Sequence, residues 1–87
     1  MDPIEKLQAI IDILNDPFSK KPNLTDREKL AAKLAAYGFK LRQIGKEMGI
    51  GVSTAGDYLS KVKKKTGLSK GELTQAFINM IVEVLKS

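Results

Sequence analysis

Lys61, Lys63, Lys64 and Lys65 fall within five residues, with Lys40, Arg42, Lys46 and Lys70 nearby in the chain. Only Glu47 and Asp57 offset these eight cations, so residues 40–70 carry +6, more than the +5 of the whole chain. Ammonium and guanidinium groups at this density suit recognition of a polyanion, nucleic acid being the first candidate. The plain rival is a lysine-rich solvated face. Bond-making chemistry is harder to assemble. The chain has no Cys and no His. Disulfides, thiolate and imidazole metal sites, and Ser-His or Cys-His nucleophile pairs are therefore closed to it. Carboxylates and lysines remain, but no spacing makes them converge. The expectation is a binding protein and not an enzyme, with no cofactor and no metal.

A chain of 87 residues, 43% of them apolar, makes one small domain with a thin core. No apolar run reaches the roughly 20 residues of a membrane span. The start, MDPIEKLQ, is acidic and unlike a secretory signal. A cytoplasmic protein that does not use a membrane is expected.

Five helices are expected to position the cations. Asp2 and Pro3 open the first, with Glu5 in its first turn. Ile4, Leu7, Ile11 and Leu14 follow at 3-4-3 spacing, widened by Ala9 and Ile10, and Asp16-Pro17 ends it. Residues 17–23 form a connector, with Pro22 enforcing an extended entry. A capping box at 25-TDRE-28 opens the second helix, whose buried face is Leu30, Ala31, Leu34 and Ala35. Its alanines imply a close neighbour, and Gly38 follows its end. A short third helix runs from about Leu41 to Met48. The fourth runs from about Val52 to Thr66, and the fifth, after a capping box at 69-SKGE-72, to about Lys86. No strand-like alternation occurs, so the chain is expected to be all-α.

The fourth helix carries the chemistry. At about 100° per residue, Val52, Ala55, Leu59, Val62 and Thr66 share one side. Ser53, Asp57, Ser60, Lys61 and Lys64 share the other, flanked by Thr54 and Lys65. The glycines before it fit a tight turn. Gly45 permits close approach of the third and fourth helices, Gly49 takes a positive φ, and Gly51 stands at the N-cap. Ile44, Met48, Ile50, Ala55 and Tyr58 have the spacing of the buried set in a helix-turn-helix. Gly56 alone has no folding role in this scheme.

Residues 24–68 resemble the DNA-binding domain of the LuxR family, also called the GerE type. The resemblance rests on 24-LTDRE-28, 42-RQIG-45, 48-MGI-50, 54-TAGDY-58 and 65-KTGL-68, and runs without gaps over 45 residues. It implies a promoter-binding dimer whose recognition helix, about 52–66, enters the major groove. Arg42, Thr54 and Lys65 match the family's phosphate contacts. Lys61 and Lys64 join them from the helical wheel alone, and Ser53 and Asp57 from their place at the exposed helix start. The chain departs from the family at Ala55, Gly56 and Tyr58, where valine, lysine and histidine are usual, and at Gly71, where arginine is common.

The expected organisation is an N-terminal helix over 1–16, the connector over 17–23 and a helix-turn-helix DNA-binding domain over 24–87. The expected function is a sequence-specific transcriptional regulator binding double-stranded DNA as a homodimer, with RNA polymerase a further candidate partner. Phe77, Ile78, Ile81, Val82 and Leu85 on the last helix are the expected dimer surface, with the first helix a second candidate. The alternative is a protein-interaction module, an anti-activator or coregulator on the same scaffold that has lost DNA binding.

Overall fold

A computed structural model describes residues 2–18 and 23–87. Five helices make up its regular structure: α1 (Pro3–Asn15), α2 (Asp26–Ala36), α3 (Leu41–Met48), α4 (Val52–Thr66) and α5 (Lys70–Lys86). The described residues contain no strand, and none of their helices is long and apolar enough to cross a membrane.

The expected caps form. Asp2 accepts from the Glu5 N–H at 2.8 Å. In both capping boxes the hydroxyl of the cap and the carboxylate three residues on bond reciprocally, Thr25 with Glu28 and Ser69 with Glu72. At the end of α2 the Phe39 N–H donates to the Leu34 carbonyl and Gly38 takes φ +88°. This is a Schellman closure, open to glycine because a Cβ is strained there.

α2 is the centre of the fold, packed against α3, α4 and α5. Ala31, Ala32, Ala35 and Ala36 are all buried, so three helices approach one backbone closely. Ile44, Val62 and Leu73 are the largest fully buried side chains, and they bring α3, α4 and α5 onto that surface. Val52 does not join the inner side of α4. It lies in the first turn of α4 and is exposed.

α1 packs on α5, and the two faces of its apolar stripe separate. Ala9, Ile10 and Ile13 are half-buried, whereas Ile4, Leu7, Ile11 and Leu14 are exposed. The end of α1 is held to α2: Lys33 Nζ donates to the Asn15 carbonyl at 3.4 Å, and the Tyr37 hydroxyl donates to the Leu14 carbonyl. Of the expected connector, Pro22 lies outside the described residues. Phe18 within it and Leu24 just after it are buried in the core, a docking the sequence reading did not place.

Candidate nucleic-acid interface

The turn between α3 and α4 is built by backbone. Gly49 takes φ +69°, the Ile50 N–H donates to the Gly45 carbonyl at 2.8 Å, and the Gly49 N–H donates to the Lys46 carbonyl at 3.2 Å. This second Schellman closure leaves Ile50 half-buried between the helices. A Cβ on Gly45 would lie 2.9 Å from the Ile50 carbonyl oxygen and 3.3 Å from that of Gly51. The close approach expected at Gly45 is real, but its partner is the turn backbone rather than the body of α4. Gly51 is the N-cap of α4 and supplies no side-chain oxygen. The orphan N–H groups of the first turn are therefore left to solvent or to an anion.

α4 is held from one side only. Ala55 and Val62 are fully buried, with Leu59, Tyr58 and Thr66 half-buried. Ser53, Thr54, Asp57, Ser60, Lys61 and Lys64 are all exposed, as is Arg42 on α3. All seven expected contact residues, Lys65 included, thus hold solvent-exposed positions on two successive helices. Among the described residues the one ion pair is Lys65–Glu28, so Arg42, Lys61, Lys63 and Lys64 have no carboxylate within ion-pair distance.

Lys65, exposed like the other six, also has a partner within the chain. Its ammonium donates to Glu28 Oε1 at 2.7 Å, and Glu28 is buried. The same oxygen accepts from the Thr25 N–H at 2.8 Å. The Lys65 hydrogen bond, with help from Thr25, holds the Glu28 carboxyl below the usual carboxylate range, against the opposing effect of burial. Lys65 therefore ties the end of α4 to the start of α2.

Arg27 belongs to the opening LTDRE segment but received no role from the sequence. Its guanidinium donates to the Met48 carbonyl at 3.2 Å, and its Nε donates to the Tyr58 hydroxyl at 3.2 Å. Arg27 and Lys61 stand 5.8 and 5.7 Å from the centroid of the Tyr58 ring, within the range of cation–π attraction. Tyr58 is thus a half-buried packing residue whose hydroxyl meets protein. With Arg27 it fixes the α3–α4 unit on α2 and sets where Lys61 starts its reach. No sequence spacing signals such a link across 31 residues.

Gly56 is half-buried, and a Cβ there would meet only Leu41 Cδ2 at 3.6 Å, an ordinary contact. Nothing inside the chain calls for glycine at this position. On α5, Phe77 is buried and packs against the Tyr37 ring at 5.5 Å between centroids, so the monomer's own core takes it from the expected dimer surface. Ile81 and Val82 are half-buried, and Ile78 and Leu85 are exposed.

No family model matches the chain, and no curated protein or solved structure is similar to it.

Proposed function

We propose that the chain is a sequence-specific DNA-binding transcriptional regulator of the LuxR type, acting in the cytoplasm as a homodimer with α4 in the major groove. One observation carries the reading. The outer side of α4 presents Lys61, Lys64, Ser53, Thr54 and Asp57 together, exposed, with no carboxylate within ion-pair distance of its lysines among the described residues. Its inner side is locked at Ala55 and Val62. A helix held this way can enter a groove about 12 Å wide without the domain rearranging. Lys61, Lys64 and Arg42 would contact phosphates and supply most of the affinity. Ser53, Thr54 and Asp57 lie where base edges would be read, and Asp57 can accept from the cytosine amino group.

The test is selection of bound duplexes from a random pool. The expected result is a two-fold-related site whose halves are centred about one helical turn apart. Recovery of no enriched sequence would remove sequence-specific binding.

The second reading, a protein-interaction module such as an anti-activator or coregulator, draws on Gly56. The LuxR pattern has a lysine there, and the surrounding space would accept a side chain. A duplex titration separates the two, because an interaction module would bind no duplex even at low salt.

A further inference from the structure

The chain exposes eight large hydrophobic side chains among its described residues, and six of them lie on α1 and α5: Ile4, Leu7, Ile11, Leu14, Ile78 and Leu85. Ile4 is 81% exposed and Leu7 59%. The monomer's packing does not account for them. α1 already meets α5 through a different face, and the two helices hold each other at their ends, where Lys6 Nζ donates to the Leu85 carbonyl at 3.4 Å.

The exposed stripe has the form of a two-stranded seam. Ile4, Leu7, Ile11 and Leu14 fall at successive a, d, a and d positions of a heptad repeat. Isoleucine at a with leucine at d favours two parallel strands over three or four. The flanks agree. Gln8 and Asn15 border the seam on one side, and half-buried Ile10 on the other. On the helical wheel Glu5, Lys6 and Asp12 lie about 120° or more from its centre. Two copies can therefore pair without opposing like charges, and the basic face belongs to α4, not to α1.

We infer that a second copy of this chain docks on α1, in parallel, through the Ile4–Leu7–Ile11–Leu14 seam, with Ile78 and Leu85 of α5 widening the contact. The inference rests on the homodimer of the proposed function and not on its DNA contact. The area sets its strength. Six side chains offering of order 100 Å² of apolar surface each, about half of it exposed, provide roughly 300–400 Å² per copy. With about two-thirds of a homodimer interface apolar, the footprint is roughly 500–600 Å², near the low end for specific association. The dimer is therefore a weak, reversible one.

Sedimentation equilibrium of the full chain tests this. The expected result is a monomer–dimer equilibrium whose dissociation constant rises at least tenfold in Ile11→Asp and by less in Ile78→Asp. Circular dichroism checks that both variants keep their helices. The chain has no cysteine, so Leu7→Cys gives a second readout that needs no charge in the seam. In a parallel pair its thiols face each other, and mild oxidation yields a covalent dimer. A chain that is monomeric throughout, a dimer broken by Ile78→Asp but not by Ile11→Asp, or a dimer in which Leu7→Cys does not cross-link would each overturn the inference. Dimerisation through the seam without duplex binding would uphold it while removing the DNA reading. Duplex binding by a strict monomer would do the reverse.

Discussion

Gly45 and Gly56 look alike in the sequence and differ in what surrounds them. Gly45 faces two carbonyl oxygens of the turn, which cannot swing aside as a side chain would. Gly45→Ala should cost about 1–3 kcal/mol despite alanine's better helix propensity, because the turn must open to admit the methyl group. Gly56→Ala should stabilise the fold by about 0.5–1 kcal/mol, since the methyl fits beside Leu41. Urea unfolding of both variants checks the pair of signs. If glycine at 56 serves close approach to DNA, Gly56→Ala will also weaken duplex binding while it raises stability, a combination that packing alone does not produce. Glu28 gives the pH prediction. Its carboxyl titrates below the ordinary value of 4.5 in the folded chain. Its contribution is therefore fully present above that value and is lost as pH falls through the lower, folded one. Glu72, lowered chiefly by its bond from the Ser69 backbone N–H, acts in the same direction. Glu28→Gln should lower the melting temperature at neutral pH and flatten its fall below about pH 4.5, leaving the smaller slope due to Glu72. An unchanged profile would contradict the Lys65–Glu28 account.

At the scale of elements, α4 depends on two ties to α2: Lys65–Glu28 at its end, and Arg27 with Tyr58 near its middle. Arg27 makes two directed bonds from one planar group, to Met48 and to Tyr58. Lysine cannot reproduce that fork. Arg27→Lys should cost about 1 kcal/mol, and it should weaken duplex binding beyond what an unchanged net charge explains. Tyr58→Phe keeps the ring between its cations and loses one bond, so its cost should be about half as large. Matched thermal melts and duplex titrations measure both. The elements themselves were legible because their signals are local: Asp2, Thr25 and Ser69 at the starts, and Gly38 and Gly49 at the ends. The ties were not legible, because a lysine in a basic run carries no mark of a buried partner 37 residues away. The split of α1 was hidden for a related reason. Ala9, Ile10, Ile11, Ile13 and Leu14 cover so much of the helix that periodicity alone cannot say which edge a neighbour takes. The exposed set of α4 was legible apart from Val52, because one polar face on an amphipathic helix has only one place to point.

For the whole molecule, charge and hydrophobicity occupy different regions. The excess cations lie on α3 and α4, and the exposed apolar side chains lie mainly on α1 and α5. A chain 43 Å long and 22 × 20 Å across can thus present one surface to a polyanion and another to a partner. The central claim is that the outer face of α4 neutralises phosphates. Its most direct test is the salt dependence of duplex binding, followed by fluorescence anisotropy for the wild-type chain, Lys61→Ala and Lys64→Ala. Each substitution should weaken binding to every sequence and reduce the magnitude of the slope of log K against log salt by about 0.9. Asp57→Ala should leave the slope nearly unchanged and alter which sequence is preferred. A chain whose duplex affinity ignores salt, or whose slope is the same with and without Lys61 and Lys64, would contradict the account.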